Sequence, residues 1–117
     1  MFARLFDQDP NAITLPAQHQ IFQVGDPGEQ LYVVTEGTVD IEINGKVVET
    51  VGPGGLFGEM ALIEELPRNA RAVTTAAAKI VPVDRRRFMF LVQQNPFFAL
   101  QLMQVMAGRL RRMDAAL

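Results

Sequence analysis

The chain has 117 residues, 49% hydrophobic and 21% charged, which suits one globular domain and excludes a disordered polypeptide. With no cysteine and a single histidine, His19, it has no disulfide framework, no thiolate metal site and no centre built on two imidazoles. Its 11 basic residues face 13 acidic ones for a net charge of −2, and direct nucleic-acid binding, which needs a basic excess, is not expected as its main task.

In chain order, Phe2–Phe6 is short and apolar and predicts a helical turn packed on the body. Ile13–Leu15 and Ile21–Val24 read as short strands separated by Pro16. Gly25-Asp26-Pro27-Gly28 is a strong turn signal, because proline pre-sets φ and glycine accepts positive φ. Leu31–Thr35 is apolar on both faces and predicts a central strand. After Glu36-Gly37, Val39, Ile41 and Ile43 alternate with Asp40 and Glu42. Asn44-Gly45 then predicts a type I′ hairpin returning through Lys46–Val51. Arg71–Thr75 and Lys79–Val83 complete the β half. Asp84 is placed to cap a helix over Arg85–Gln94, and Asn95-Pro96 opens a second one. Strands broken by turns every 8–12 residues indicate a sandwich, jelly roll or small barrel.

Between the strands lies Gly52-Pro53-Gly54-Gly55-Leu56-Phe57-Gly58-Glu59-Met60-Ala61-Leu62, followed by Pro67-Arg68-Asn69-Ala70. Four glycines in seven residues let the backbone approach another group closely. Glu59–Ile63 predicts about one helical turn, whose first N–H groups attract an anion. Arg68, nine positions after Glu59, adds a planar cation suited to phosphate or carboxylate. From the residues alone, Glu59 and Arg68 serve equally well as an ordinary ion pair.

The runs Phe57-Gly58-Glu59-Met60-Ala61-Leu62 and Pro67-Arg68-Asn69-Ala70 resemble the phosphate-binding cassette of the cyclic nucleotide-binding domain family. Gly25-Asp26-Pro27-Gly28, Leu31-Tyr32-Val33-Val34, Glu36-Gly37 and the two closing helices follow in the family's order, so the resemblance covers essentially the whole chain. It implies an α+β, mainly β fold: an antiparallel β-roll (jelly-roll-like, a double-stranded β-helix) with a short N-terminal helix and two C-terminal helices. Residues 1–117 then form a single domain, with the roll at about 11–83, the cassette at about 52–70 and the helices at about 84–116. The resemblance also implies a ligand, cAMP or cGMP. Glu59 matches the acid that accepts the ribose 2′-hydroxyl, and Arg68 the arginine that pairs with the cyclic phosphate. Backbone N–H groups around Gly58, Met60, Ala61 and Ala70 complete the cradle. Asn69 stands where a threonine is linked to cGMP preference, which leans the ligand toward cAMP.

Ile41, Val48 and Leu56 take the place of the wall around base and ribose, or else are plain core. In the last helix Ala99, Met103, Met106, Leu110, Met113 and Leu117 are spaced 4, 3, 4, 3 and 4, a heptad seam beside the stripe Phe98, Leu102, Val105 and Arg109. Both stripes can pack on the β half; alternatively, the seam serves a homodimer or partner protein. In channel-type members of the family this helix swings over the nucleotide, and Arg109 matches a lid arginine that caps the base. The run Arg85-Arg86-Arg87 reads as a solvated face. Within these residues no helix-turn-helix, no charged-then-apolar leader and no apolar run near the ~20 residues of a spanning helix is expected, so the chain reads either as a standalone sensor or as a fragment. The expectation is a cytoplasmic, non-enzymatic sensor that holds no metal. The rivals are a ligand-free interaction domain, a sensor of another small anionic metabolite, and a cupin-like metalloenzyme, for which one histidine is too few.

Overall fold

The computed structural model describes residues 5–116, with side chains to residue 112. Phe2 of the first predicted turn, the Met113 side chain and Leu117 lie outside these. Leu5 and Phe6 are helical, and Phe6 is fully buried. Eight strands follow: β1 (Ile13–Leu15), β2 (Gln20–Phe22), β3 (Gln30–Glu36), β4 (Val39–Ile43), β5 (Lys46–Val51), β6 (Leu56–Phe57), β7 (Arg71–Thr74) and β8 (Ala78–Asp84). A short helix α1 (Glu59–Glu64) lies between β6 and β7, and α2 (Arg85–Gln94) and α3 (Pro96–Ala116) follow β8. The strands form two four-stranded antiparallel sheets, ordered β1-β8-β3-β6 and β2-β7-β4-β5, which together make the β-roll.

β3 is central, as its two apolar faces require. It pairs with β8 through Val33 opposite Val81 and with β6 through Val33 opposite Leu56. The β4–β5 hairpin turns on Asn44 and Gly45 at φ 53° and 78°, the positive pair that a type I′ turn needs. The register slips between Ile41 and Glu42, so a bulge bends this hairpin. Phe22, Val34, Val39, Val51, Phe57, Ala72 and Ile80 form the buried cluster between the sheets, with Tyr32 and Ile41 packed at its edge. Burying one such side chain contributes about 1.5–3 kcal/mol.

Two differences from the sequence expectation have local causes. β2 stops at Phe22, because Gln23 N donates to Asp26 Oδ2 at 3.0 Å and Asp26 N to Gln23 O at 3.1 Å, closing a turn that leaves Val24 exposed. The glycine-rich stretch contains the strand β6, whose two residues are too few to show a period.

The chain forms two compact units divided after Arg85. The first holds the roll and α1. The second comprises α2 from Arg86 onward and α3, joined through Asn95, with Pro96 at the first position of α3 where a missing N–H costs nothing. Within it the rings of Phe88 and Phe98 meet edge to face at 5.9 Å. Among the described residues no helix is long and apolar enough to cross a membrane.

Candidate functional site

α1 begins after Gly58, whose φ of 80° and ψ of 9° are left-handed and favour glycine, and no side chain caps its first N–H groups. A Cβ at Gly58 would lie 2.7 Å from Arg68 Nη1, so any larger residue there pushes the guanidinium from its place. Glu59 occupies the first turn of α1 and is only 3% exposed, an unusual depth for a carboxylate.

Arg68 is 5% exposed. Its Nη1 donates to Gly58 O at 2.7 Å and its Nη2 to Gln30 O at 2.5 Å. The guanidinium lies 4.2 Å from the centre of the Phe22 ring and 5.8 Å from that of Tyr32. Both are cation–π distances, and they gain strength where water is excluded. Nε is buried and finds no partner among the described residues. A cation so placed keeps unused capacity for an anion, since an arginine offers five donors. Burial lowers the Arg68 pKa, while Tyr32, Glu59 and Asp26 act to raise it. Burial raises the Tyr32 phenol, and the neighbouring Arg68 charge opposes that.

The turn at 25–28 fixes this geometry from outside. Gly25 N donates to Arg68 O at 2.9 Å and Arg68 N to Asp26 O at 2.8 Å, a reciprocal pair that pins the arginine backbone. A Cβ on Gly28 would stand 2.0 Å from that of Ala61, so the same turn seats α1.

Of the residues expected at the site, Gly58, Glu59 and Arg68 are brought together. Ala61 and Ala70 are buried, Met60 and Asn69 are exposed, and Ile41 is half-buried at the core edge. Leu56 is 1% exposed within β6, and Val48 is 55% exposed on β5. Arg109 lies on α3, half-buried, in the second unit. Sequence reasoning missed Phe22, Tyr32 and the Gln30 carbonyl. The two aromatics flank the 25–28 turn and could have been suspected, whereas a backbone carbonyl leaves no trace in residue type. Among the described residues no three His, Cys, Asp or Glu side chains gather as a metal site.

The sequence profile of the cyclic nucleotide-binding domain matches residues 12–95. The chain is 30% identical over 105 aligned residues to the CRP-like cAMP-activated global transcriptional regulator of Mycobacterium tuberculosis, covering 86% of this chain and 47% of that protein. It is 35% identical over 107 residues to the cyclic AMP receptor protein of Thermus thermophilus, covering 87% and 50%. The chain thus spans about half the length of these curated relatives. The crystal structure of Thermus thermophilus catabolite activator protein superposes with a TM-score of 0.79 at 33% identity, over 88% of this chain and 51% of that one. A profile match across the roll, the glycine-cornered helix and the buried arginine makes this chain a member of the cyclic nucleotide-binding domain family.

Proposed function

We propose that the protein binds a cyclic mononucleotide, cAMP in preference to cGMP, and signals by repositioning its C-terminal helices. The observation that carries this reading is Arg68: a buried cation whose Nε has no partner among the described residues, ringed by carbonyls and aromatic faces. A cyclic phosphodiester carries one negative charge, and Arg68 with the backbone N–H groups of Gly58, Met60, Ala61 and Ala70 answers it. Glu59 accepts the ribose 2′-hydroxyl. Ile41, Val48 and Leu56 flank base and ribose, and Arg109 caps the base. The absence of threonine at Asn69 and the cAMP named for both curated relatives support the choice of purine. Signalling follows if the ligand favours one helix arrangement, because a ligand shifts an equilibrium only by its differential affinity for the two states. The seam of α3, exposed at Met103 and Leu110, serves a second copy or a partner protein.

Calorimetric titration of the wild type and Arg68→Ala with cAMP and cGMP tests the proposal. The substitution should weaken cAMP binding by about 2–4 kcal/mol, roughly thirty- to thousand-fold. The wild type should bind cGMP more weakly than cAMP. An unchanged cAMP affinity in the variant removes Arg68 from the site.

A further inference from the structure

The two compact units carry opposite charge. The second, residues 86–117, holds five of the 11 basic residues and one of the 13 acidic ones, Asp114, for a net of +4. The first is left with six basic and 12 acidic residues, a net of −6, and the two values give the −2 of the whole chain. The division runs through the arginine cluster. Arg85 belongs to the first unit, where its Nη2 donates to Leu62 O at 2.6 Å and caps the end of α1. Arg86 is exposed on α2, and no acidic residue occurs between it and Met113. So uneven a distribution is the mark of a surface that meets an anionic partner.

The same cationic unit leaves large apolar side chains in water. On α2, Met89 and Phe90 follow Arg86 by three and four positions, which puts the three on one face, and all are exposed. Beyond the break at Asn95, Phe97 and Leu100 begin an exposed stripe on α3 that runs through Gln104 and Ala107 to Arg111, at spacings of 3, 4, 3 and 4. This row is separate from the heptad seam. Phe90 is 58% and Phe97 70% exposed, whereas Phe88 and Phe98 make the ring contact within the unit. One pair of phenylalanines thus joins α2 to α3, and the other pair is presented to solvent. Helical rise puts Arg86 roughly 6 Å along the axis from Phe90 and Arg111 roughly 17 Å from Leu100, so the apolar groups lie nearer the corner than the cations. A nucleic-acid strand would use the arginines and the two rings but leave Met89 and Leu100 unserved. An anionic bilayer answers both chemistries, with negative headgroups for arginine and, about 5–10 Å deeper, an acyl boundary for apolar side chains. We propose that the helical unit docks peripherally on an anionic lipid surface, with Phe90, Phe97 and Leu100 in the interface and Arg86 and Arg111 on headgroup phosphates. The −6 of the first unit is repelled by such a surface, which selects the helical unit as the point of contact.

Flotation of the full chain with vesicles of phosphatidylglycerol or of phosphatidylcholine tests this. The wild type should float with the first and not with the second, and added salt should release it, because screening shortens the reach of the arginines. Phe90→Ser with Phe97→Ser should weaken binding to phosphatidylglycerol at least about tenfold, since affinity scales with the apolar area buried in the interface. Arg86→Gln with Arg111→Gln should weaken it roughly thirtyfold, each arginine near an anionic surface contributing about fivefold. All four positions are exposed and lie outside the cassette, so circular dichroism and cAMP titration should match the wild type. If the serine pair melts too low to use, Phe97→Ser alone, at the more exposed of the two rings, should still weaken binding at least about threefold. No flotation of the wild type, equal flotation with both lipids, or unchanged flotation of either pair overturns the proposal. Retention of a single-stranded DNA oligonucleotide in place of vesicles also overturns it and makes the surface one for nucleic acid.

Discussion

Arg68 is surrounded by groups that satisfy some of its donors and strip away its water. The aromatic faces of Phe22 and Tyr32 replace part of that hydration, and the carbonyls of Gly58 and Gln30 fix the plane of the guanidinium. Tyr32 provides a pH-dependent signature of this packing. Its phenol is raised above the ordinary value of 10.0, chiefly by burial. Between that value and the raised one, the folded protein keeps a proton that the unfolded chain has lost, so stability falls as pH rises through this window. Melting temperatures should fall more steeply as pH rises above 10.0 for the wild type than for Tyr32→Phe, which has no proton to lose. Parallel declines would mean that the phenol ionises freely in the folded state.

At the scale of elements, the cassette is held by a turn about 40 residues earlier in the chain. Gly25 and Asp26 bond to the backbone of Arg68, and Gly28 leaves room for Ala61 on α1. Gly28→Ala forces a Cβ into that contact, and overpacking of this kind costs about 1–3 kcal/mol. Urea unfolding should register the loss, and cAMP affinity should fall with it, because α1 is pushed from its seat. Ala61→Gly in the same background should recover part of both, as expected for residues in direct contact. A Gly28→Ala variant with wild-type stability and affinity would show that the turn is a passive connection. The hairpin at Asn44-Gly45 is a contrasting element, since its geometry follows from two neighbouring residues and needs nothing distant.

At the scale of the whole molecule, α3 carries an apolar seam that the described residues leave partly uncovered. Phe98 and Leu102 are buried, whereas Met103 and Leu110, one heptad apart on the seam, are 58% and 61% exposed. Ala99 and Met106 on the same seam are half-buried. Apolar residues repeating at this period pack against a partner helix. Sedimentation should therefore find the wild type self-associating with rising concentration. Met103→Glu with Leu110→Glu should give a monomer of unchanged circular dichroism. A monomeric wild type across the micromolar range, or an associating double variant, would exclude a self-pairing seam.

Much of this protein could be read from residue order alone. The period-two strands, the Asn44-Gly45 turn, the break at Asn95-Pro96 and the spacing of Glu59 to Arg68 are all local, and local preferences act before any tertiary contact exists. The folded chain decided the rest. That Arg68 would bond to the carbonyls of Gly58 and Gln30 and lie over Phe22, and that Arg85 would cap a helix that is not its own, depends on groups remote in sequence. Three of those four partners are backbone oxygens, which every residue carries alike. Chemistry that rests on such atoms becomes visible only once the sheets have brought them within hydrogen-bonding reach.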